Sequence, residues 1–294
     1  MSVRAGKIRA LVGIDNAGKT DKGLHNTFNR VLNNGMHGLC FSPYEEGQSP
    51  GDQISEEQIR KRMEIIAPYT KWIRTFSCTD GNEAIPRIAH EYGIKTLVGA
   101  WLGDDKKINK KEIENLIKIG KEGYVDIAAV GNEVMYRGDL SEDELLDFMY
   151  KVKKAIPAVP MGYVDAYYEF ADRPKITEAC DIIMANCYPY WEGCSAEYSL
   201  LYMKEMYNQA LRAANGKKVI ISETGWPNMG GSFQGSHPSF ENAMKYFINT
   251  QQWSEIDDID IFYFSSFDES WKVGTEGDVG AYWGLWDKNE KLKF

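Results

Sequence analysis

Eight short apolar runs, most of them separated by a longer amphipathic stretch, limit what this chain can fold into more than any other feature. The runs cover residues 37–41, 71–77, 94–101, 125–131, 159–164, 181–186, 218–222 and 259–265. They are short, rich in β-branched side chains and flanked by turn residues, as buried strands are. The stretches at 55–68, 81–92, 109–121, 141–155, 196–214 and 238–253 repeat their apolar residues with the helical period. Ser55 with Gln58 fits a capping box, Ser141 opens Ser-Glu-Asp-Glu in the same way, and Gly93 is a usual helix stop. Strands alternating with helices predict a parallel sheet covered by helices. Eight such pairs in about 250 residues predict a single (β/α)8 TIM barrel of the α/β class. A doubly wound sheet would gather its chemistry at one switch point. Here polar and acidic residues recur at the ends of many runs.

Residues 1–36 precede the first strand and read as a short N-terminal extension packing on the barrel, with 37–294 as the catalytic domain. The extension contains Gly13-Ile14-Asp15-Asn16-Ala17-Gly18-Lys19-Thr20, which matches the phosphate-binding loop pattern letter by letter. A nucleotide site also needs a helix beginning at the Lys, a downstream acidic strand and a nucleotide fold around it. Asp21-Lys22-Gly23 is a poor helix start, and 36 residues cannot build that fold. The match is read as chance: a turn before an amphipathic helix over 25–32 that plugs the bottom of the barrel or leans on it. The Gly-rich stretch 228–237 reads as a mobile loop.

The net charge of −9 argues against nucleic acid as a partner, since phosphate binding wants clustered Lys and Arg. No run of about 18 apolar residues is present to span a bilayer. The opening Met-Ser-Val-Arg-Ala-Gly-Lys has no apolar core of the kind an export signal carries. Four histidines and five cysteines show no metal-ligand spacing, so neither metal nor organic cofactor is expected. Cys40, Cys78 and Cys180 fall in or beside strands as small hydrophobes, while a Cys187–Cys194 disulfide stays open. A monomer is expected.

Two runs end in a carboxylate. Ile127-Ala128-Ala129-Val130-Gly131-Asn132 leads into Glu133, and Ile220-Ile221-Ser222 leads into Glu223 followed by Thr224-Gly225-Trp226-Pro227. As the ends of strands four and seven of a barrel, the two glutamates face each other across its mouth. Such a pair, one protonated and one ionised, serves as proton donor and nucleophile on one glycosidic bond. Eight Trp and 17 Tyr, several just past strand ends, supply flat apolar faces for sugar rings.

Gly131-Asn132-Glu133-Val134 and Ser222-Glu223-Thr224-Gly225-Trp226-Pro227 resemble the two signatures of glycoside hydrolase family 17, β-1,3-glucanases and related transglycosylases of the retaining (β/α)8 clan. Gly38-Leu39-Cys40-Phe41-Ser42-Pro43-Tyr44, Ile73-Arg74-Thr75-Phe76, residues 93–102, Ala185-Asn186-Cys187-Tyr188-Pro189-Tyr190 and Tyr282-Trp283-Gly284-Leu285-Trp286 are similar to further segments of that family, so the likeness covers roughly 37–288. The resemblance implies Glu133 as general acid and base, Glu223 as nucleophile, Asn132 on the sugar 2-hydroxyl and Tyr188 on the nucleophile. It also implies Glu269 and Lys272 on the floor, with Arg74 and Phe41 among the binding residues. Trp101, Trp191, Trp226 and Trp271 are candidate stacking rings, Trp226 foremost because it follows the nucleophile. Phe41 stands where many members carry Tyr; the missing hydroxyl contact is either absent or supplied by Tyr44. The short segment 187–198 suggests a cleft open on the acceptor side. The implied activity is retaining, endo-acting hydrolysis of β-1,3-glucan, with glucanosyl transfer or exo-glucosidase action as alternatives. A polymeric substrate implies an extracellular or periplasmic setting.

Overall fold

The structure, a computed structural model, describes residues 21–294; the Gly13–Thr20 motif lies outside them. Eight parallel strands pair in chain order and close on themselves. They are β1 (Met36–Cys40), β2 (Thr70–Arg74), β3 (Lys95–Ala100), β4 (Ile127–Asn132), β5 (Met161–Ala166), β6 (Ile182–Asn186), β7 (Lys218–Thr224) and β8 (Ile261–Tyr263). All eight expected strands are present and the barrel is the expected fold. Several boundaries move: β2 ends at Arg74 rather than 77, which frees Thr75, Phe76 and Ser77 for the rim.

The outer helices are α1 (Asp21–Asn33), α2 (Glu56–Ile66), α3 (Ile85–Glu91), α4 (Lys106–Lys121), α5 (Glu142–Ala155), α6 (Pro174–Ala179), α7 (Ser199–Ala213) and α8 (Phe240–Asp257). Ser141 and Glu144 form the full reciprocal box at the start of α5. The box expected at α2 is half formed. Ser55 accepts from the Gln58 N–H (3.2 Å), but the Gln58 side chain turns away to the Pro43 carbonyl and Gln48.

α1 takes the second of the two placements expected, leaning on the barrel rather than plugging it, and is longer than the expected 25–32. It begins at Asp21 and lies on the outer wall, against α8 and the 3-10 turn Ala67–Tyr69. Leu24, Phe28, Val31 and Leu32 are buried there, with Phe28 against the Phe247 and Phe294 rings at 4.8 and 5.0 Å. After β8 the chain makes only the short turns Ser270–Lys272, Val273–Glu276 and Asp278–Tyr282. α1 therefore stands where an eighth outer helix would, and its apolar face covers β-barrel wall that would otherwise meet water. No helix among the described residues is long and apolar enough to cross a membrane.

Candidate active site

The carboxyl ends of the strands carry the site, and local irregularities aim its residues. Register shifts occur between Ala129 and Asn132 in the β4–β5 pairing, between Ala185 and Asn186 in β6–β7, and between Ile221 and Thr224 in β7–β8. A bulge reverses the in-out alternation locally, so a residue due to face the helices can face the mouth instead. Gly131 (φ 86°) and Glu133 (φ 52°) are both left-handed, which turns the chain sharply where β4 ends. Gly225 is required by space: a Cβ there would stand 2.1 Å from the Phe264 carbonyl of the next strand's extension.

These turns bring Glu133 and Glu223 onto one amide. Asn186 Nδ2 donates to Glu133 Oε1 at 2.8 Å and to Glu223 Oε1 at 3.0 Å. Two protons about 120° apart on one nitrogen place those oxygens about 5 Å from each other. Even a straight line through the nitrogen gives no more than about 6 Å. That is the spacing of double displacement, and too small for the roughly 6.5–9.5 Å that an intervening water requires.

The remaining contacts divide the two carboxylates. Arg74 Nη1 sits 2.5 Å from Glu223 Oε1, and its Nη2 donates to Asn132 Oδ1 at 2.6 Å. The Tyr188 hydroxyl donates to Glu223 Oε2 at 2.7 Å. Ser222 Oγ donates to Asn186 Oδ1 at 2.8 Å and so fixes which end of that amide faces the acids. Glu223 thus meets a cation, an amide and a phenol, whereas Glu133 meets the shared amide and, among the described residues, forms no ion pair. Burial, followed by the charge on Glu223, pushes the Glu133 carboxyl up to about 7. A proton held near neutrality beside a guanidinium-paired carboxylate is the acid–nucleophile division the chemistry needs.

Glu269 and Lys272 form a buried pair rather than a surface one, at 2.7 Å. Glu269 also accepts from Ser42 Oγ (2.6 Å) and Trp271 Nε1 (3.2 Å), and the Lys272 ammonium lies 4.0 Å from the Phe264 ring centre. Phe41 is buried, and the Tyr44 hydroxyl accepts from Asn82 at 3.3 Å.

Trp226 is a correction. It is 1% exposed, packed between Tyr190 and Tyr246, with its Nε1 donating to the His237 carbonyl. Trp226 stands three positions past Glu223, beyond the end of β7, where the chain has turned back into the wall, so this ring is core and offers no face to a sugar. Trp101 and Trp191 are each 38% exposed, the first stacked under the Arg137 guanidinium at 4.5 Å. Trp271 is half-buried and meets Tyr44 edge-on. The tryptophan packed on Tyr188, the phenol that meets Glu223, is instead Trp283, which also lies against Phe264.

Cys187 and Cys194 are not bonded, and all five cysteines are free. The Gly-rich loop is tied down: Gly235 N–H donates to the Gly193 carbonyl and Gly231 N–H to Asp278. Sequence reasoning missed Asn186 and Ser222, although both are polar residues at the ends of apolar runs, the same signal that exposed Asn132 and Glu133.

The family model described as BtgE/BtgC glycoside hydrolase domain matches residues 38–284. The chain is 29% identical over 262 residues to Glucan 1,3-beta-glucosidase BGL2 of Candida albicans, covering 79% of this chain and 83% of that protein. It is 26% identical over 269 residues to the glucan 1,3-beta-glucosidase of Saccharomyces cerevisiae, covering 82% and 85%. A crystal structure of a glycoside hydrolase family 17 β-1,3-glucanosyltransferase from Rhizomucor miehei superposes with a TM-score of 0.77 at 29% identity, covering 89% of this chain and 96% of that one.

Proposed function

The chain belongs to the BtgE/BtgC glycoside hydrolase domain family and is a glycoside hydrolase acting on β-1,3-glucan, and we propose that it works by double displacement with Glu223 as nucleophile and Glu133 as acid and base. In the first step a Glu223 oxygen bonds to the anomeric carbon. The bond to the leaving sugar breaks, and the Glu133 proton goes to that sugar's oxygen. In the second step Glu133 takes a proton from water, whose oxygen displaces Glu223 with a second inversion. Arg74, Tyr188 and Asn186 hold the nucleophile, and Asn132, itself fixed by Arg74, faces the 2-hydroxyl. Glu269, Lys272 and Trp101 belong to the binding surface in this reading, whereas Phe41, as buried as Trp226, offers a sugar no face.

The observation that carries the proposal is the single Asn186 amide shared by both carboxylates. The reading places the chain in glycoside hydrolase family 17, as an endo-acting monomer with neither metal nor organic cofactor, working outside the cytoplasm because a polymeric glucan does not cross a membrane. Residues 1–36 are proposed as an extension of the catalytic barrel rather than a separate functional unit.

The test is the anomeric form of the first product from laminarioligosaccharides, followed by NMR. Retention is expected, with Glu223→Gln giving no turnover above background and Glu133→Gln losing on the order of 10²-fold or more. An inverted product, or either variant near the wild-type rate, overturns the proposal. Transfer to a second sugar is the other reading, favoured by the likeness to the Rhizomucor miehei β-1,3-glucanosyltransferase. Products longer than the starting oligosaccharide would establish it.

A further inference from the structure

The turn that carries Glu133 is held in place by its neighbour strand. Glu133 stands at the head of the short helix Val134–Arg137, in a left-handed conformation that side-chain-bearing residues adopt only when their surroundings impose it. The residue at that position ordinarily satisfies the first free N–H groups with its own side chain. Glu133 makes no such bond, because its carboxyl reaches into the mouth to Asn186.

β5 supplies the missing partners. The Val164 carbonyl accepts from the Glu133 N–H at 2.8 Å. The Tyr163 hydroxyl accepts from the Met135 N–H at 2.8 Å, and Asp165 Oδ2 accepts from the Tyr136 N–H at 3.3 Å. Tyr163 donates its own proton to that same Asp165 oxygen, while Asp165 Oδ1 accepts from the Ala166 N–H at 2.8 Å. Tyr163 and Asp165 are two residues apart on one strand and so share a face. They are 1% and 0% exposed.

A buried carboxylate is costly unless it is fully hydrogen-bonded, and no ion pair reaches Asp165 among the described residues. Closing the barrel does not require it, since an apolar side chain would pack that strand as well. What the phenol and the carboxylate do together is fix two successive N–H groups, those of Met135 and Tyr136, behind the carboxyl that must meet the leaving oxygen.

We infer that Tyr163 and Asp165 are positioning residues for the proton donor, a cap supplied across the sheet so that the Glu133 carboxyl stays free for chemistry. The inference rests on the assignment of Glu133 as acid and base. It commits to a defect confined to proton transfer: losing either residue lets the turn relax, moves the donor, and spares the nucleophile held by Arg74 and Tyr188.

The test compares two substrates in the full-length enzyme. Laminarioligosaccharides have a sugar leaving group that needs a proton. A 2,4-dinitrophenyl laminarioside with azide added needs neither acid nor base, because the phenolate leaves unaided and azide replaces water. For Tyr163→Phe and Asp165→Asn, kcat on the oligosaccharide is expected to fall on the order of tenfold or more, with KM within about twofold. Turnover of the dinitrophenyl substrate with azide should stay within about threefold of wild type. Equal losses on both substrates, or wild-type rates on both, overturn the inference. Should Asp165→Asn fail to fold by circular dichroism, Tyr163→Phe decides alone. Glu133→Ala is run alongside. If it shows no split between the substrates and forms no β-glycosyl azide, the assignment of Glu133 is wrong, whereas a split there but not in the β5 variants refutes only the positioning role.

Discussion

Replacing Glu223 by glutamine should lower the pKa of Glu133, and the structure gives the size of the drop. The glutamine carbonyl takes the place of Oε1, accepting from Arg74 and Asn186, and its amide turns toward the Tyr188 oxygen, so the geometry survives while a negative charge disappears. At a separation of about 5 Å that charge is worth about 0.8 kcal/mol in a water-like medium and about 3 kcal/mol at an effective dielectric constant of 20. At about 1.4 kcal/mol per pK unit, the fall is roughly half a unit to two units. Arg74, left without its carboxylate, acts in the same direction. Burial, the larger cause of the raised value of about 7, is untouched. Glu133 should therefore titrate between about 5 and 6.5 in the variant, still above an ordinary glutamate. Carboxyl-13C-labelled glutamate gives the measurement, with Glu133→Gln identifying the resonance. A value unchanged or raised would mean that the two carboxylates do not feel each other, and the shared-amide argument would fail with it.

Glu133→Gln itself should stabilise the protein at pH 8. The folded enzyme holds the Glu133 proton more tightly than the unfolded chain, so stability is lost as pH rises from about 4.5 to about 7. Calorimetry should show a gain of about 1–3 kcal/mol at pH 8 that vanishes below pH about 4.5, and a gain independent of pH would contradict the assignment. Arg74→Leu should cost about 3–5 kcal/mol in urea unfolding, because it strands the buried Glu223 and Asn132 together; a cost under about 1 kcal/mol would show that the pair is not desolvated. Trp226→Phe should cost about 1–3 kcal/mol while leaving KM for laminarioligosaccharides unchanged. A raised KM with unaltered stability would restore the ring to the substrate surface.

The barrel was legible because its signal is periodic and repeated. Eight apolar runs and their helices each carry a local pattern, and errors at single boundaries do not accumulate. Glu133 and Glu223 were legible because an ionisable residue ending an apolar run is anomalous in itself. Trp226 was misread for a three-dimensional reason: it lies three positions past Glu223, beyond the end of β7, where the chain has already turned the ring against Tyr190 and Tyr246. The capping box at Ser55 was half right because a Gln side chain has other acceptors within reach, here the Pro43 carbonyl. The role of α1 was hidden because nothing local says that the last strand lacks its own helix. That vacancy shows only once the chain after β8 is seen to make short turns.

The two carboxylates are linked as well as separated. Arg74 touches Glu223 and Asn132, Asn132 immediately precedes Glu133, and Asn186 touches Glu223 and Glu133. A displacement of any one of these side chains is felt by both acids. The separation, by contrast, comes from what stands behind them: a buried cation and a phenol behind Glu223, and β5 backbone, Tyr163 and Asp165 behind Glu133. Strands β2 and β6 thus hold Glu223, and β5 holds the turn that carries Glu133. One barrel gives two glutamates different surroundings because its strand ends arrive at the same few ångströms of space from different sides, each bringing its own hydrogen-bond partners.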